Sequence, residues 1–212
     1  TSATPAGITF DSVSSANGGS SFVSSLSWQH TVSGSNKILI VSISTMKNRA
    51  VSSVTYAGIP LTKLASDNYG NYARAEMWYL LNPPSGASNV LVNLQQSARI
   101  VAGAQSFSGV DQINPFSTFA KNKGFSNTLS TNIASASGEL VVDSASTEPV
   151  TTFSVGPGQT EAWKIINGNG MQTGVSGGSS REPGASTVQM SWNIGSSSRS
   201  WAIVAASLKP SP

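Results

Sequence analysis

Residues 37–46, KILIVSISTM, decide the fold class. In an extended chain Ile38, Ile40 and Ser42 point to one face and Leu39, Val41 and Ile43 to the other. Such a run reads as a long central strand. Outward from it, short β-prone runs recur roughly every 8–15 residues between clusters of Gly, Pro, Asn and Ser, the pattern of a sandwich or barrel. Upstream lie Ile8 and Phe10, then Phe22, Leu26 and Trp28. Downstream, residues 54–64 read as a hairpin about the turn at Gly58–Pro60, and residues 73–81 as a strand ended by Asn82-Pro83-Pro84. Consecutive prolines cannot continue a central strand, because each lacks an N–H donor. Val90, Val92 and Leu94 alternate. Further strands are predicted at 100–107, 140–142, 153–155, 162–166, 188–192 and 201–208.

No window holds a convincing helical period with caps. The expectation is therefore an all-β chain, a two-sheet antiparallel β-sandwich of jelly-roll type, with one domain over residues 8–210 and a leader over residues 1–10. Residues 116–131 are the best candidate for an internal boundary, yet Phe116, Phe119 and Phe125 look like side chains that need cover. The Gly/Ser-rich tracts at 174–180 and 195–200 read as loops, and no repeat of 20–50 residues is visible.

Composition narrows the function. Among 212 residues, 40 are Ser and 16 Thr, so a quarter of the chain carries a hydroxyl, while 12 Lys+Arg oppose 9 Asp+Glu. The basic residues are scattered singly, not gathered in the stripe that nucleic acid requires, so no nucleic-acid partner is expected. No run approaches the roughly 20 apolar residues that span a bilayer. With no Cys there are no disulfides or thiolate sites, and with one His there is no multi-histidine metal site. The start at Thr1, without Met, reads as a mature chain whose signal peptide has been removed, which points outside the cell.

Several segments together carry a resemblance: LSWQHTVSGSNKILIV (26–41), VSSVTYAGIPLTKL (51–64), EMWYLLNPPSG (76–86), VAGAQSFSGVDQ (101–112), GELVVDSAS (138–146) and SWAIVAASLKP (200–210). The chain resembles, from about Ile8 to Pro210, a largely uncharacterised β-sandwich domain recurrent in secreted and surface proteins of bacteria and archaea. The resemblance implies an extracellular or cell-surface location and a sandwich fold. It brings no catalytic motif.

Candidate chemistry is sparse. Glu139 and Asp143 flank one apolar strand at roughly 13 Å, too far apart for a retaining glycosidase pair. No G-x-S-x-G elbow accompanies the one histidine, His30, which reads as an exposed or capping residue at a strand end. No enzyme and no organic cofactor are expected. Asp67 and Asp111 offer loop oxygens to a structural calcium ion. Tyr69 and Tyr72, in the polar loop SDNYGNY (66–72), are candidates for a sugar platform or a subunit contact, with Trp163 and Trp201 as secondary candidates. The segment Ile8, Thr9, Phe10, behind the hinge-like Pro5 and Gly7, reads as the chain's own first strand or as a strand donated to a neighbour. The preferred functional expectation is a secreted, non-enzymatic subunit that polymerises into an extracellular filament. The alternative is a carbohydrate-binding adhesion module with a polysaccharide partner.

Overall fold

A computed structural model describes residues 7–168, 173–195 and 197–212. The first half of the chain forms β1 (Thr9–Asn17), β2 (Val23–Val32), β3 (Ile38–Thr45), β4 (Val51–Tyr56), β5 (Ile59–Pro60), β6 (Thr62–Asn68), β7 (Arg74–Leu81), β8 (Gly86–Ala98) and β9 (Ile100–Ser108). The second half forms β10 (Phe116–Ser126), β11 (Thr128–Ala134), β12 (Leu140–Glu148), β13 (Ser154–Val155), β14 (Thr160–Asn167), β15 (Val175–Pro183), β16 (Thr187–Asn193) and β17 (Arg199–Leu208). Among the described residues the one helical segment is the 3-10 turn Met46–Asn48. Every strand pairing is antiparallel. The all-β, antiparallel sandwich reading therefore holds.

The number of layers differs from the expectation. Among the described residues four sheets form instead of two, in the orders β2-β8-β4-β5, β1-β9-β3-β7-β6, β10-β17-β12-β15-β14 and β11-β16-β13. Leu39, Val41 and Ile43 of β3 join Val54, Tyr56, Val90 and Val92 in the core of the first half. Ile38 and Ile40, on the other face of β3, join Met77, Phe107, Val142, Val204 and Leu208 in a seam between the two five-stranded sheets. That double cover is why all eight residues of β3 are buried. A third core of Leu129, Val141, Met190, Trp192, Trp201 and Ile203 lies between the last two sheets.

The two halves have the same topology. Exchanging β1, β9, β3, β7, β6 for β10, β17, β12, β15, β14 reproduces one five-stranded sheet from the other, and β2, β8, β4 map onto β11, β16, β13. Local irregularities repeat as well. A register shift between Phe10 and Ser12 faces Phe107 and Ser106; its counterpart between Phe116 and Thr118 faces Leu208 and Ser207. A second shift, between Lys63 and Ala65, recurs between Glu161 and Trp163. Bulges re-aim strands at fixed places and are hard to acquire twice at matching positions by accident.

Contacts across the seam obey a pseudo-twofold axis near β3 and β12. Phe10 of β1 lies 4.0 Å from the Arg181 guanidinium of β15, and its counterpart Phe116 lies edge-on, 5.0 Å from Tyr79 of β7. Arg181 and Tyr79 occupy matching positions, opposite Val142 and Ile40. Along the axis the seam is polar and narrow. Ser44 Oγ donates to the Ala145 carbonyl at 2.9 Å, and Gln105 Nε2 donates to Ser179 Oγ at 2.7 Å.

This packing explains where the sequence misleads. Residues 174–180 are not a loop: residues 175–180 open the inner strand β15 and are all buried. A Cβ at Gly177 would sit 2.2 Å from Ser44 Oγ, and one at Gly178 2.7 Å from the Trp192 ring, so only glycine lets the sheets approach. Residues 116–131 form β10 and the start of β11, directly after the connection between the halves at residues 109–115. Phe119 and Phe125, expected to be covered, stand exposed on β10.

Candidate functional site

The groups able to do chemistry are mostly committed to the fold. His30 is 2 % exposed, buried where an exposed cap was expected. Its Nδ1 lies 2.8 Å from Ser14 Oγ, and its Nε2 lies 3.1 Å from Ser106 Oγ. Trp28 Nε1 donates to Ser14 Oγ, and Ser106 Oγ donates to Asp11 Oδ2 at 2.7 Å. The Ser14 hydrogen is thus free for Nδ1, and the imidazole donates from Nε2, the neutral tautomer. Burial lowers His30 to a pKa of about 4 against a weaker pull from Asp11. The acid touches a serine rather than the imidazole, unlike a triad, and so weak a base activates a hydroxyl poorly.

Burial works to raise Asp11, but bonds from Ser33 and Ser106 outweigh it and hold the carboxyl below its usual range. The second half repeats the motif with its acid moved. Glu139 Oε2 accepts from Ser117 and Ser207 at 2.7 Å each and from Ser135 at 3.1 Å. Ser117 and Ser207 match Asp11 and Ser106 by register. Glu76, fully buried, accepts from Arg74, Lys63, Trp78 and the Val51 N–H. Asp143 accepts from Trp192 Nε1 at 2.7 Å and the Ser180 N–H at 2.6 Å.

The other sequence candidates fall as follows. Asp67 pairs with Lys123 at 3.0 Å, and Asp111 accepts the N–H groups of Ile113 and Asn114, with Lys209 3.8 Å away. Trp163 and Trp201 are buried and offer no face to a ligand. The Trp163 indole lies over Gly103 in the seam, and the Trp201 indole lies over Gly124 and donates to Ser126 Oγ. Thr9 and Phe10 pair within the chain with Ser108 and Phe107 on β9, as the chain's own first strand; Ile8 packs partly buried against the seam core. Residues 1–6 lie outside the described residues.

Two of the expected residues line open clefts: Asp111 one of ≈ 250 Å³, and Tyr72 a larger one. A cleft of ≈ 490 Å³ is walled by Lys47, Arg49, Asn71, Tyr72 and Glu148. Glu148 comes from the second half of the chain, the other four from the first. The site is braced on every side. The Asn48 N–H donates to the Tyr72 carbonyl at 2.6 Å, tying the 3-10 turn to the tip of the β6–β7 hairpin. Arg74 bonds Asn48 and Ser66 from beneath. The Lys47 N–H donates to Glu148 Oε2 at 2.7 Å, and Lys47 Nζ stands 5.3 Å over the Phe22 ring. Burial raises the Glu148 carboxyl, against the pull of the Lys47 N–H and ammonium. Among the described residues the buried Arg49 Nε has no hydrogen-bond partner. Tyr69, 36 % exposed, belongs to the same hairpin tip and accepts the Tyr72 N–H at its carbonyl.

Tyr72 was legible because two tyrosines in so polar a loop resist burial. Lys47, Arg49 and Glu148 were not, because the acid lies 101 residues from the turn it meets. No family model, curated protein or solved structure matches the chain.

Proposed function

We propose that the protein is a non-enzymatic structural subunit that self-associates into an extracellular or cell-surface filament, through the open edges of its two five-stranded sheets. The carrying observation is β10. It pairs with β17 on one side only, and it exposes Phe119 (59 %) and Phe125 (62 %). An edge strand with unpaired backbone groups and protruding aromatics is a template for another chain. Burying such a ring contributes about 1.5–3 kcal/mol.

Edge strands β10 and β6 lie together on one flank, and β1 and β14 on the other. The second flank exposes Val13 and Ile166. Joining one flank of a copy to the opposite flank of the next is a heterologous contact, which adds subunits without closing. Several observations support a role without catalysis: the buried, neutral His30, Asp11, Glu139 and Asp143 held by serines and N–H groups, and a hydroxyl-rich chain with few charges. The strand orders also support reading each half as a jelly roll. The extracellular setting rests on the sequence resemblance.

Sedimentation and negative-stain microscopy of the concentrated chain test the reading. Polymers are expected for the native protein, and Phe119→Ser with Phe125→Ser is expected to leave a folded monomer. A native chain that stays monomeric at high concentration overturns the proposal.

A further inference from the structure

The seam cleft has the features of a ligand site rather than of a packing defect. Its ≈ 490 Å³ falls in the range of small-ligand pockets and suits one or two sugar rings. Tyr72 is 53 % exposed, and its ring lies against Gly70, which takes φ +55° at the hairpin tip. An aromatic held at such a tip offers a flat apolar face beside polar groups. Asn71 adds an amide that both donates and accepts, as ring hydroxyls require.

Charge then chooses among sugars. Lys47 and Arg49 stand two residues apart on the same turn, and Glu148 is the one acid in the wall. That acid already accepts the Lys47 backbone N–H. Among the described residues no acid pairs with Arg49, whose Nε is buried without a hydrogen-bond partner. A neutral sugar would leave this excess of positive charge unanswered; a carboxylate would meet it.

We propose that the cleft binds an acidic polysaccharide, holding one uronate ring against Tyr72 with its carboxylate at Lys47 and Arg49. The Asn71 amide takes ring hydroxyls, and the Glu148 wall sets how deep the ring enters. Binding of this kind needs no polymerisation, so it stands or falls apart from filament formation.

Calorimetry on the full chain, with polygalacturonate oligomers as the probe and neutral glucan oligomers of equal length as the comparator, tests it. Binding of the uronate is expected, at least about tenfold tighter than the glucan and weakened by salt. Tyr72→Ala and Lys47→Glu are each expected to weaken it about tenfold or more. Tyr72→Phe should retain binding, because the ring face remains. Lys121→Glu, an exposed change on β10, should leave it intact and serves as the control for diffuse surface charge. Near-UV circular dichroism checks that each variant is folded. Absence of uronate binding, equal binding of the glucan, or equal damage from Lys121→Glu overturns the proposal.

Discussion

His30 shows how one buried side chain sets a pH response. Its folded pKa of about 4 lies below the ordinary 6.5, so the unfolded chain takes up a proton first as pH falls. Stability contributed by the neutral ring is present above about pH 6.5 and is lost progressively down to about pH 4, on the order of 3 kcal/mol in all. Asp143 has the opposite sign: burial pushes its carboxyl up to about 7, so its contribution declines as pH rises from about 4 to 7. The two slopes oppose each other in the native protein. Urea unfolding of native chain and His30→Gln across pH 4–7 separates them, because Asp143 is common to both. The native chain should lose stability relative to the variant as pH falls. Gly103 makes a second point at this scale. A Cβ there would lie 2.4 Å from the Trp163 indole nitrogen. Gly103→Ala is therefore expected to cost about 1–3 kcal/mol, read as a lowered urea midpoint.

Individual strands were legible where side chains alternate against one core. β3, β7, β9 and β17 all stand out as apolar runs, and Val90, Val92 and Leu94 of β8 point into the first core as their spacing predicts. β15 was not legible, because a strand pressed between two layers near the seam is selected for smallness, and Val175-Ser176-Gly177-Gly178-Ser179-Ser180 has the composition of a linker. β10 misled in the other direction. Its phenylalanines suggest cover, but β10 is an edge strand, and only Phe116, near its start, meets a ring across the seam. A signal of the internal duplication was present in sequence, spread too far for a short-period search. Ser42, Ser44 and Thr45 of ILIVSIST recur as Ser144, Ser146 and Thr147 of LVVDSAST, and the register pairs the two strands residue by residue. Most other positions have diverged under different packing, as Tyr79 and Arg181 illustrate.

At the scale of the whole molecule, the seam joins the halves more firmly than the chain does. The connecting residues 109–115 touch the second half through the Val110–Pro210 bridge and the bond from the Asp111 N–H to the Lys209 carbonyl. Ile113, 85 % exposed, marks the point where the connection is open to solvent. A protease site inserted after Ile113 and then cut should give two fragments that co-elute in native size exclusion and part only in denaturant. Separation without denaturant would show the seam to be weak. Cooperative unfolding of both halves in one transition is the matching expectation by calorimetry.

Two identical chains meeting as these halves do would be bound by rotational equivalence to present the same flank twice. Covalent joining lifts that obligation. One flank has kept aromatic rings while its counterpart carries aliphatic ones, so the molecule has a front and a back. A strand of such particles would therefore have direction, growing at chemically distinct ends, as one built from a true symmetric pair could not.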